Sequence, residues 1–295
     1  MRVTLRQLSV FDAVARHGSV SEAAREVNLS QSAASLALQD LERALGTALF
    51  HRHKRRLALN ENGRRLQPRA HSMLRLSREI EVDDTTAETS GVLRIAATPT
   101  IGNYVLPTVC ARFQAEYPNV QLRITVVEEP EVIDRVDEIN QDVGFIEVST
   151  MRPMLEVEPW LRDELIVVAR PDHWACGKSV GLARLKQERW CLQPIGTSSR
   201  HQVTYMFTSL LGAAPVVLES NSVETLKHAA AAGVGIACLS RYAVAEDLAQ
   251  GRLAAIGTRG FKLSRHFSII SRRDVYHGGL QAAFTNFVRT SGQAL

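Results

Sequence analysis

The sequence predicts an α/β chain in which a winged helix-turn-helix and a long linker helix precede a two-lobed α/β domain. Apolar residues recur at helical spacing in three short segments before Gly46, and a basic segment between two short apolar runs follows them. A long, strongly charged helical segment comes next. From Gly91 onward, strand-like and helical segments alternate, which is typical of parallel sheets that are covered by helices on both faces.

Charge is distributed unevenly along the 295 residues. Residues 1–78 carry 14 Lys and Arg against 6 Asp and Glu, whereas the remainder carries 21 against 25. A basic module joined to a slightly acidic one suggests that only the N-terminal part meets a polyanion, although chance variation in surface charge would give the same numbers.

The first two helices are bounded by capping residues. Thr4 can cap a helix that Gly18 ends, and Ser19 or Ser21 can cap the short segment SEAAREV. Asn28 tolerates left-handed geometry, so Asn28-Leu29-Ser30 predicts a tight turn into a third helix that begins after Ser30.

The third helix has a core stripe and an exposed face. The stripe consists of Ala34, Leu38, Leu41 and Leu45. The opposite face carries Ser32, Ser35, Leu36, Gln39 and Arg43. Small polar side chains at the N-terminal end of an exposed helix can bond phosphates and base edges, so this face is predicted to read DNA. The alternative is an ordinary solvated face.

A basic turn follows the third helix. Leu49, Phe50, Leu57 and Leu59 are predicted to anchor two short strands. The tip between them carries Arg52, His53, Lys54, Arg55 and Arg56. Directly behind a helix-turn-helix, such a wing is predicted to contact the phosphate backbone.

The linker helix is predicted to run from the cap Asn60 to about Val82. Its apolar stripe is narrow and consists of Leu66, Ala70, Met73, Ser77 and Ile80. A long helix with so narrow an apolar face requires a partner helix, and a homodimer would place two reading heads on one palindromic site. The acidic, polar segment DDTTAETSG reads as a hinge.

Three polar stretches of the C-terminal domain are predicted to converge on a cleft, because ligands collect at the carboxyl ends of parallel strands. The residues expected there are Thr98, Thr100 and Ile101 after the first strand, Thr197, Ser198 and Ser199 in the GTSSR loop, and Thr225 in a later helix. Hydroxyls and free backbone N–H groups suit an anion. Each stretch taken singly could be only an N-cap.

Glu147 ends the strand GFIEV and is predicted to face the same cleft. It could pair with Arg200, accept hydrogen bonds from a protonated ligand, or be an exposed carboxylate at a strand end.

The sequence contains no motif for catalysis, metal binding or membrane insertion. It lacks G-x-S-x-G, a Walker A loop and H-E-x-x-H, so we expect no enzyme activity, no cofactor and no metal. Four widely spaced cysteines, with no CxxC pair, and the lack of an export signal or long apolar run predict a cytoplasmic protein with spectator thiols.

The chain resembles the LysR-type transcriptional regulators over essentially its whole length, and within that family it is similar to CysB- and CbbR-like members. The resemblance is carried by the stretch from Leu5 to Arg52, by LNENG behind the wing, and by VLRIAAT, NYVLP, DVGFIE, GTSSR and AAAAGVGIACLSR. It departs from the family where Leu36 replaces a frequent Arg, where Asn60 replaces a Thr cap, and in the less glycine-rich GTSSR loop.

The resemblance implies a linker-helix dimer, tetramers built as dimers of dimers, and an effector domain of periplasmic-binding-protein type with a co-inducer between its lobes. On that pattern Gln31, Ser32 and Ser35 contact DNA, and Arg52 and Arg55 contact phosphates. Thr98, Thr100, Thr197 and Ser199 line the effector site.

The resulting expectation is a DNA-binding regulator that is controlled by a small, anionic effector. Its domains are a DNA-binding head over 1–60, a linker helix and hinge over 61–90, and an effector domain over 91–295. We place lobe I at about 91–162 and 267–295 and lobe II at about 163–266. The alternatives are an architectural DNA binder without a ligand and a small-molecule enzyme with a DNA-binding head.

Overall fold

The computed structural model describes residues 3–53, 56–81, 90–148, 150–194, 214–259 and 263–291. Within these ranges the chain forms a small helical head, one long linker helix and an α/β domain built on one large sheet. No helix in the described part of the chain combines the length and the apolar character that crossing a membrane requires.

Three helices and a hairpin form the head (residues 3–59). They are α1 (Leu5–His17), α2 (Val20–Glu26), α3 (Gln31–Leu45), β1 (Phe50–His53) and β2 (Arg56–Leu59). The caps are those that the sequence predicts. The Thr4 hydroxyl accepts from the N–H of Gln7 and Ser19 caps α2, while Asn28 takes a left-handed φ of 54° in the turn before the cap Ser30.

The core of the head gathers the apolar stripes of all three helices. Phe11, Ala34, Leu41 and Leu49 are almost fully buried there, which confirms the predicted packing of α1 and α3. The prediction is wrong for Leu45, whose side chain is 39% exposed. It lies in the last turn of α3, just before the left-handed Gly46 redirects the chain away from the core.

The linker helix α4 (Glu61–Glu81) packs on the head along only part of its predicted stripe. The Asn60 side chain caps it by accepting from the N–H of Gly63. Ala70 and Leu74 join the head core, whereas Met73, Leu76 and Ile80 are exposed at 44%, 44% and 83%. The apolar surface of α4 therefore divides between an inner and an outer face.

The α/β domain begins with parallel strands that alternate with helices. Its first elements are β3 (Gly91–Ala97), α5 (Pro99–Tyr104), α6 (Leu106–Glu116), β4 (Val120–Val126), α7 (Glu129–Asp137) and β5 (Val143–Ile146). β3 pairs in parallel with both β4 and β5. Two helices, not one, separate β3 from β4, because the backbone breaks at Val105 and Pro107 lies in the first turn of α6.

The rest of the domain adds strands in both directions. Its elements are β6 (Leu155–Ala169), β7 (Ser179–Gly181), α8 (Leu182–Leu185), β8 (Trp190–Leu192), β9 (Val216–Glu219), α9 (Val223–Ala231), β10 (Ile236–Ser240), α10 (Arg241–Ala249), β11 (Ala254–Arg259), β12 (Leu263–Arg272) and α11 (Gly278–Ser291).

The ten strands of the domain form one mixed sheet, in the main order β4-β3-β5-β12-β6-β10-β8-β9, with β7 and β11 beside it. The expectation of purely parallel sheets is therefore wrong, because β6 is antiparallel to β10, β11 and β12.

Two lobes share this sheet, and the long strands β6 and β12 cross from one to the other. Leu161 and Phe267 belong to a core with β3, β5 and α6, whereas Leu165 belongs to a core with β8 and β10. The change of core places the lobe boundary between Leu161 and Leu165 on β6. Side chains at this crossing lie between the lobes, where a cleft ligand would bind.

Candidate nucleic-acid interface and ligand cleft

The solvent face of α3 carries the polar residues that the sequence predicts for reading DNA. Gln31, Ser32 and Gln39 are exposed and Ser35 is half-buried, with Leu36 56% exposed among them. The Ser30 hydroxyl accepts from the N–H of Ala33 and lies 3.1 Å from the Ser32 hydroxyl. An exposed apolar side chain, Leu36, therefore lies among the polar residues of this face.

The wing is held against the helices by its backbone. β1 and β2 pair from Phe50–Leu59 to His53–Arg56, and the N–H of Leu57 donates to the carbonyl of Gly18 at 2.9 Å. Lys54 and Arg55 lie outside the described residues, as do the side chains of Arg52 and Arg56. Their predicted phosphate contacts stay predictions.

An ion-pair cluster fixes α1 against α2 behind the reading face. The Arg16 guanidinium donates to both carboxylate oxygens of Glu26, at 2.8 and 2.6 Å, and the ring of His17 approaches the same carboxylate at 2.6 Å. The hydrogen bond from Arg16 lowers the pKa of Glu26 to about 2, against an opposing effect of burial. The two helices are thereby joined by a bidentate, charge-assisted contact.

Two predicted cleft residues, Thr98 and Glu147, meet at the carboxyl ends of β3 and β5. Thr98 precedes α5, but its side chain makes no capping bond there. Its hydroxyl instead donates to Oε1 of Glu147 at 3.0 Å, and both residues are buried. The view of Thr98 as only a helix cap, and of Glu147 as an exposed strand end, is therefore wrong.

Glu147 is held from both its backbone and its side chain. The carboxylate of Glu129, in α7, accepts from the N–H groups of Glu147 and Val148 at 2.9 and 3.0 Å. The other Glu147 oxygen accepts from the guanidinium of Arg265 on β12. Arg265 thus occupies the role that Arg200 was considered for, while Arg200 lies outside the described residues.

Arg265 connects the lobes at the crossing of β6 and β12. Its Nε donates to Asp163 at 2.7 Å, in register across the two strands, and the other Asp163 oxygen accepts from the Ser240 hydroxyl at 2.8 Å. Arg265 and Asp163 are 6% and 0% exposed. One buried guanidinium is therefore shared by Glu147 of lobe I and by Asp163, which lies at the crossing and is bonded to Ser240 of lobe II.

The predicted site residues omit Arg265 and Asp163, although a signal for both exists. Strand side chains alternate between two faces, so Arg265 shares its face with Phe267 and Ile269, and Asp163 shares its face with Leu161 and Leu165. A charged residue at an inward-facing position of an apolar strand is rare unless it is paired. A check of which residues share a strand face with buried apolar residues would have identified both Arg265 and Asp163.

The cleft is rich in acid. Glu147 and Asp163 both pair with Arg265, Glu129 accepts from the N–H of Glu147, and the charge of Glu147 acts on Glu128. Burial, and then the charge of Glu147, raise the pKa of Glu128, and burial raises that of Asp163 in spite of its pairing. The described part of the site consequently carries excess negative charge.

A second contact joins the lobes at the opposite end of α5. The Tyr104 hydroxyl, from lobe I, donates to Glu224 of α9 at 2.6 Å, and the Lys227 ammonium lies 5.4 Å from the Tyr104 ring centroid. Lys227 also pairs with Glu224 at 2.9 Å and with Asp247 at 2.7 Å. We call Tyr104, Glu224 and Lys227 the interlobe bridge.

The remaining predicted cleft residues are placed differently. Thr100 is buried, and the Ile101 side chain lies in the apolar core of lobe I, so it offers a ligand no side-chain contact. Thr225 is exposed, and its N–H donates to the capping hydroxyl of Ser222 at 3.2 Å. Thr197, Ser198 and Ser199 lie outside the described residues.

The four cysteines are free thiols. Cys110, Cys191 and Cys238 are buried and Cys176 is half-buried. Burial raises the pKa of Cys110 to about 11 and that of Cys238 to about 12, so neither forms the reactive thiolate at neutral pH.

Two family models cover most of the chain. One, described as a bacterial regulatory helix-turn-helix protein of the lysR family, matches residues 5–64, and the LysR substrate binding domain matches residues 86–293. YeiE of Escherichia coli strain K12, described as an uncharacterized HTH-type transcriptional regulator, is 37% identical over 287 residues, which are 97% of either chain.

Two solved structures share the fold. A full-length OxyR variant from Pseudomonas aeruginosa gives a TM-score of 0.78 at 22% identity, over 98% of this chain and 95% of that one. The regulatory domain of CcmR from Synechocystis PCC6803, in complex with 2-PG, gives 0.65 at 24% identity, over 70% of this chain and 99% of that one.

Proposed function

Because the chain belongs to the LysR family of DNA-binding transcriptional regulators, we propose that a small anionic effector in its interlobe cleft controls how a dimer is placed on DNA. The protein acts in the cytoplasm and assembles further into tetramers. It regulates transcription and is not an enzyme, which follows from its family rather than from any missing catalytic group.

The head supplies two kinds of DNA contact in this proposal. Gln31, Ser32, Ser35 and Gln39 contact base edges and phosphates from α3. The wing residues Arg52, Lys54, Arg55 and Arg56 contact the phosphate backbone. The exposure of the polar face of α3 supports the first contacts, and the excess of positive charge over residues 1–78 supports the second.

The observation that carries the effector proposal is the buried guanidinium of Arg265, which lies between Glu147 of lobe I and Asp163 at the crossing of the lobes. A guanidinium is the side chain best suited to bind phosphates and carboxylates, and this one lies beside the Thr98 hydroxyl network. An anion that enters the cleft competes with Glu147 for Arg265. The CcmR regulatory domain, which shares the fold, binds 2-PG and supports this class of ligand.

This competition predicts that Glu147→Gln strengthens anion binding. The amide keeps the shape of the side chain, removes one negative charge and leaves Arg265 available to the ligand. We expect about tenfold tighter binding, since charges a few ångströms apart interact by several kcal/mol at intermediate dielectric. Lowering the pH toward the raised pKa values of Glu128 and Asp163 should act in the same direction, because it removes negative charge from the site.

The measurement is a thermal-shift titration of the full chain with 2-PG and with inorganic phosphate, at neutral and at mildly acidic pH, because the raised pKa values of Glu128 and Asp163 favour proton uptake as the pH falls. The matched control is Glu156→Gln, which removes an exposed carboxylate from β6 outside the cleft. If neither anion stabilises the wild type or Glu147→Gln, the effector is not an anion of this class. An architectural DNA binder then becomes the better description.

A further inference from the structure

The head and the linker helix are joined to lobe I by a buried cluster of charges. His71 of α4 is 5% exposed, with Nδ1 3.4 Å from Asp12 of α1 and Nε2 3.8 Å from Asp142 of lobe I. Arg75, one turn further along α4, pairs with the same Asp142 at 2.6 Å. We call Asp12, His71, Arg75, Arg94 and Asp142 the junction cluster.

Arg94 completes the cluster from β3. Its backbone N–H donates to Asp142 at 2.7 Å, and its guanidinium lies 3.9 Å from Glu26 of the head. Arg16 shares both Asp12 and Glu26 with the cluster. Head, linker helix and lobe I are therefore tied by charge-assisted contacts on three sides.

Further polar contacts hold α4 on lobe I along two turns. The Gln67 side chain donates to the carbonyl of Glu138 at 2.8 Å, and the Ser72 hydroxyl accepts from the N–H of Tyr276 at 2.9 Å. The Arg75 guanidinium also donates to Gln281 at 2.6 Å and to the carbonyl of His277. Gln281 in turn donates to the carbonyl of Asp142 at 2.8 Å.

Three neighbouring strands run from this junction to the ligand cleft. β3 carries Arg94 at its middle and is followed by Thr98. β5 lies between Asp142 and Glu147. β12 carries Arg265 toward its cleft end and Arg272 at its other end, where the ring of His277 lies 2.7 Å from the Arg272 carbonyl. The stretches from Arg94 to Thr98, from Asp142 to Glu147 and from Arg265 to Arg272 span only about 13–23 Å at the usual rise per residue.

These strands are packed too tightly to bend independently. β5 is buried along its whole length between β3 and β12. A Cβ at Gly144 would lie 2.7 Å from a side-chain atom of Ile270 and 2.9 Å from one of Val136. A displacement at the cleft ends of the strands must consequently reach their junction ends, because close-packed interiors transmit strain.

We propose that β3, β5 and β12 transmit the state of the cleft to the head through the junction cluster, with Asp142 as the positioning residue at its centre. The proposal rests on the proposed ligand cleft. It can nevertheless be tested separately from ligand binding, because substitutions of Glu147 or Tyr104 alter the cleft when no ligand is present. Coupling between two sites is established by the non-additivity of changes at each of them.

The test is hydrogen–deuterium exchange of the full chain, read at the backbone amides of α1 and α4. Glu147→Gln and Tyr104→Phe each alter the cleft, and each is measured alone and combined with Asp142→Asn. We expect either cleft variant to change exchange in α1 and α4 by about twofold to thirtyfold, the range that coupling free energies produce. In the Asp142→Asn background that change should vanish.

Asp134→Asn is the matched control, because Asp134 is an exposed carboxylate of α7 that pairs with Arg152 outside the junction. It should leave the response intact. If Asp142 had only a structural role, Asp142→Asn would raise the baseline exchange of α1 and α4, but the cleft variants would still change that exchange. Additive effects of the cleft variants and Asp142→Asn therefore overturn the proposal. Unchanged α1 and α4 exchange in both cleft variants also overturns it. If Asp142→Asn fails to fold, Arg75→Met removes the same contact from the α4 side.

Failure of the effector proposal would look different. Absence of any shift with 2-PG or phosphate leaves the exchange experiment untouched, because that experiment contains no ligand. A positive thermal shift with additive exchange effects would retain the cleft as a binding site and reject only the transmission to the head.

Discussion

Gly63 occupies a position in the first turn of α4 where a larger residue has no room. A Cβ there would lie 2.2 Å from the carbonyl oxygen of Leu49 and 2.7 Å from a methyl group of Leu59. The backbone oxygen cannot move without disturbing the start of the wing. The close approach, rather than any unusual backbone angle, is what requires glycine at this residue.

We expect Gly63→Ala to lower the free energy of unfolding of the head by about 1–3 kcal/mol, the cost of overpacking a close-packed site. Urea denaturation followed by circular dichroism measures it. Gly181→Ala is the control, because no atom lies within 4 Å of the added methyl group, and its effect should stay within about 0.5 kcal/mol. Equal effects of the two substitutions would contradict the role given to the contact with Leu49.

Arg265 shows how a single residue can carry the contact between lobes. Burying the ions of this cluster is itself costly. Once they are buried, breaking either pair would leave an uncompensated charge, and this penalty holds the Arg265 guanidinium in place. Because Glu147 belongs to lobe I and Asp163 lies at the crossing, bonded to Ser240 of lobe II, the position of this one side chain depends on the angle between the lobes. A ligand that competes for Arg265 therefore alters the contact between the lobes.

At the scale of elements, the pair Arg16–Glu26 ties α1 to α2, and its contribution depends on pH. The pKa of Glu26 falls from its ordinary value of 4.5 to about 2 in the folded head. Because the folded value is depressed, the contribution is complete above pH 4.5 and is lost as the pH falls toward 2. Because Glu26 is partly exposed, solvent screens the ion pair and reduces its contribution to the free energy of unfolding.

We expect Glu26→Gln to destabilise the protein by about 1–2 kcal/mol at neutral pH, after allowance for solvent screening. The difference from the wild type should shrink when unfolding is measured at about pH 3.5, inside the interval in which Glu26 titrates. Glu22→Gln is the control, because this α2 carboxylate is 52% exposed and lies 3.8 Å from the His17 ring. A difference that is constant with pH would show that Arg16 does not lower the Glu26 pKa.

Local patterns predicted the head well because its elements are defined by nearby residues. Caps such as Thr4 and Ser30, and the left-handed Asn28, act within three or four positions of the helices they bound. The antiparallel crossing of β6 and β12 escaped prediction because it pairs residues about a hundred positions apart, as Asp163 and Arg265 are. The same separation in the sequence is the reason that Arg265 was not predicted as the residue that joins the lobes.

The cleft was predictable to the extent that it consists of strand ends. Thr98 and Glu147 follow β3 and β5, and the rule that ligands collect at the carboxyl ends of strands brings them together. Ile101 was misjudged because helical periodicity alone does not show which face of a short helix meets the core. The interlobe bridge could not be anticipated, since Tyr104 and Glu224 belong to different lobes.

For the whole molecule, the outer face of α4 is the surface that we propose for the dimer. Met73, Leu76 and Ile80 follow one another at helical spacing of three and four residues, and all three are exposed while Ala70 and Leu74 are buried against the head. An exposed apolar stripe on a charged helix is the surface that a second linker helix covers. The proposed dimer therefore uses Met73 and Ile80 of the predicted stripe together with Leu76, which the predicted stripe did not include.

We expect Ile80→Asp to shift the protein toward monomer, raising the dimer dissociation constant by at least about tenfold, because it removes an apolar side chain that the proposed dimer buries and places a charge between the two helices. Sedimentation velocity over a concentration series measures this. Met151→Asp is the matched control, since Met151 is 97% exposed in the α/β domain. If Ile80→Asp and Met151→Asp sediment alike, the dimer is formed by another surface. Two heads would then be spaced on DNA by the effector domains alone, and the junction cluster would have no linker-helix dimer to act on.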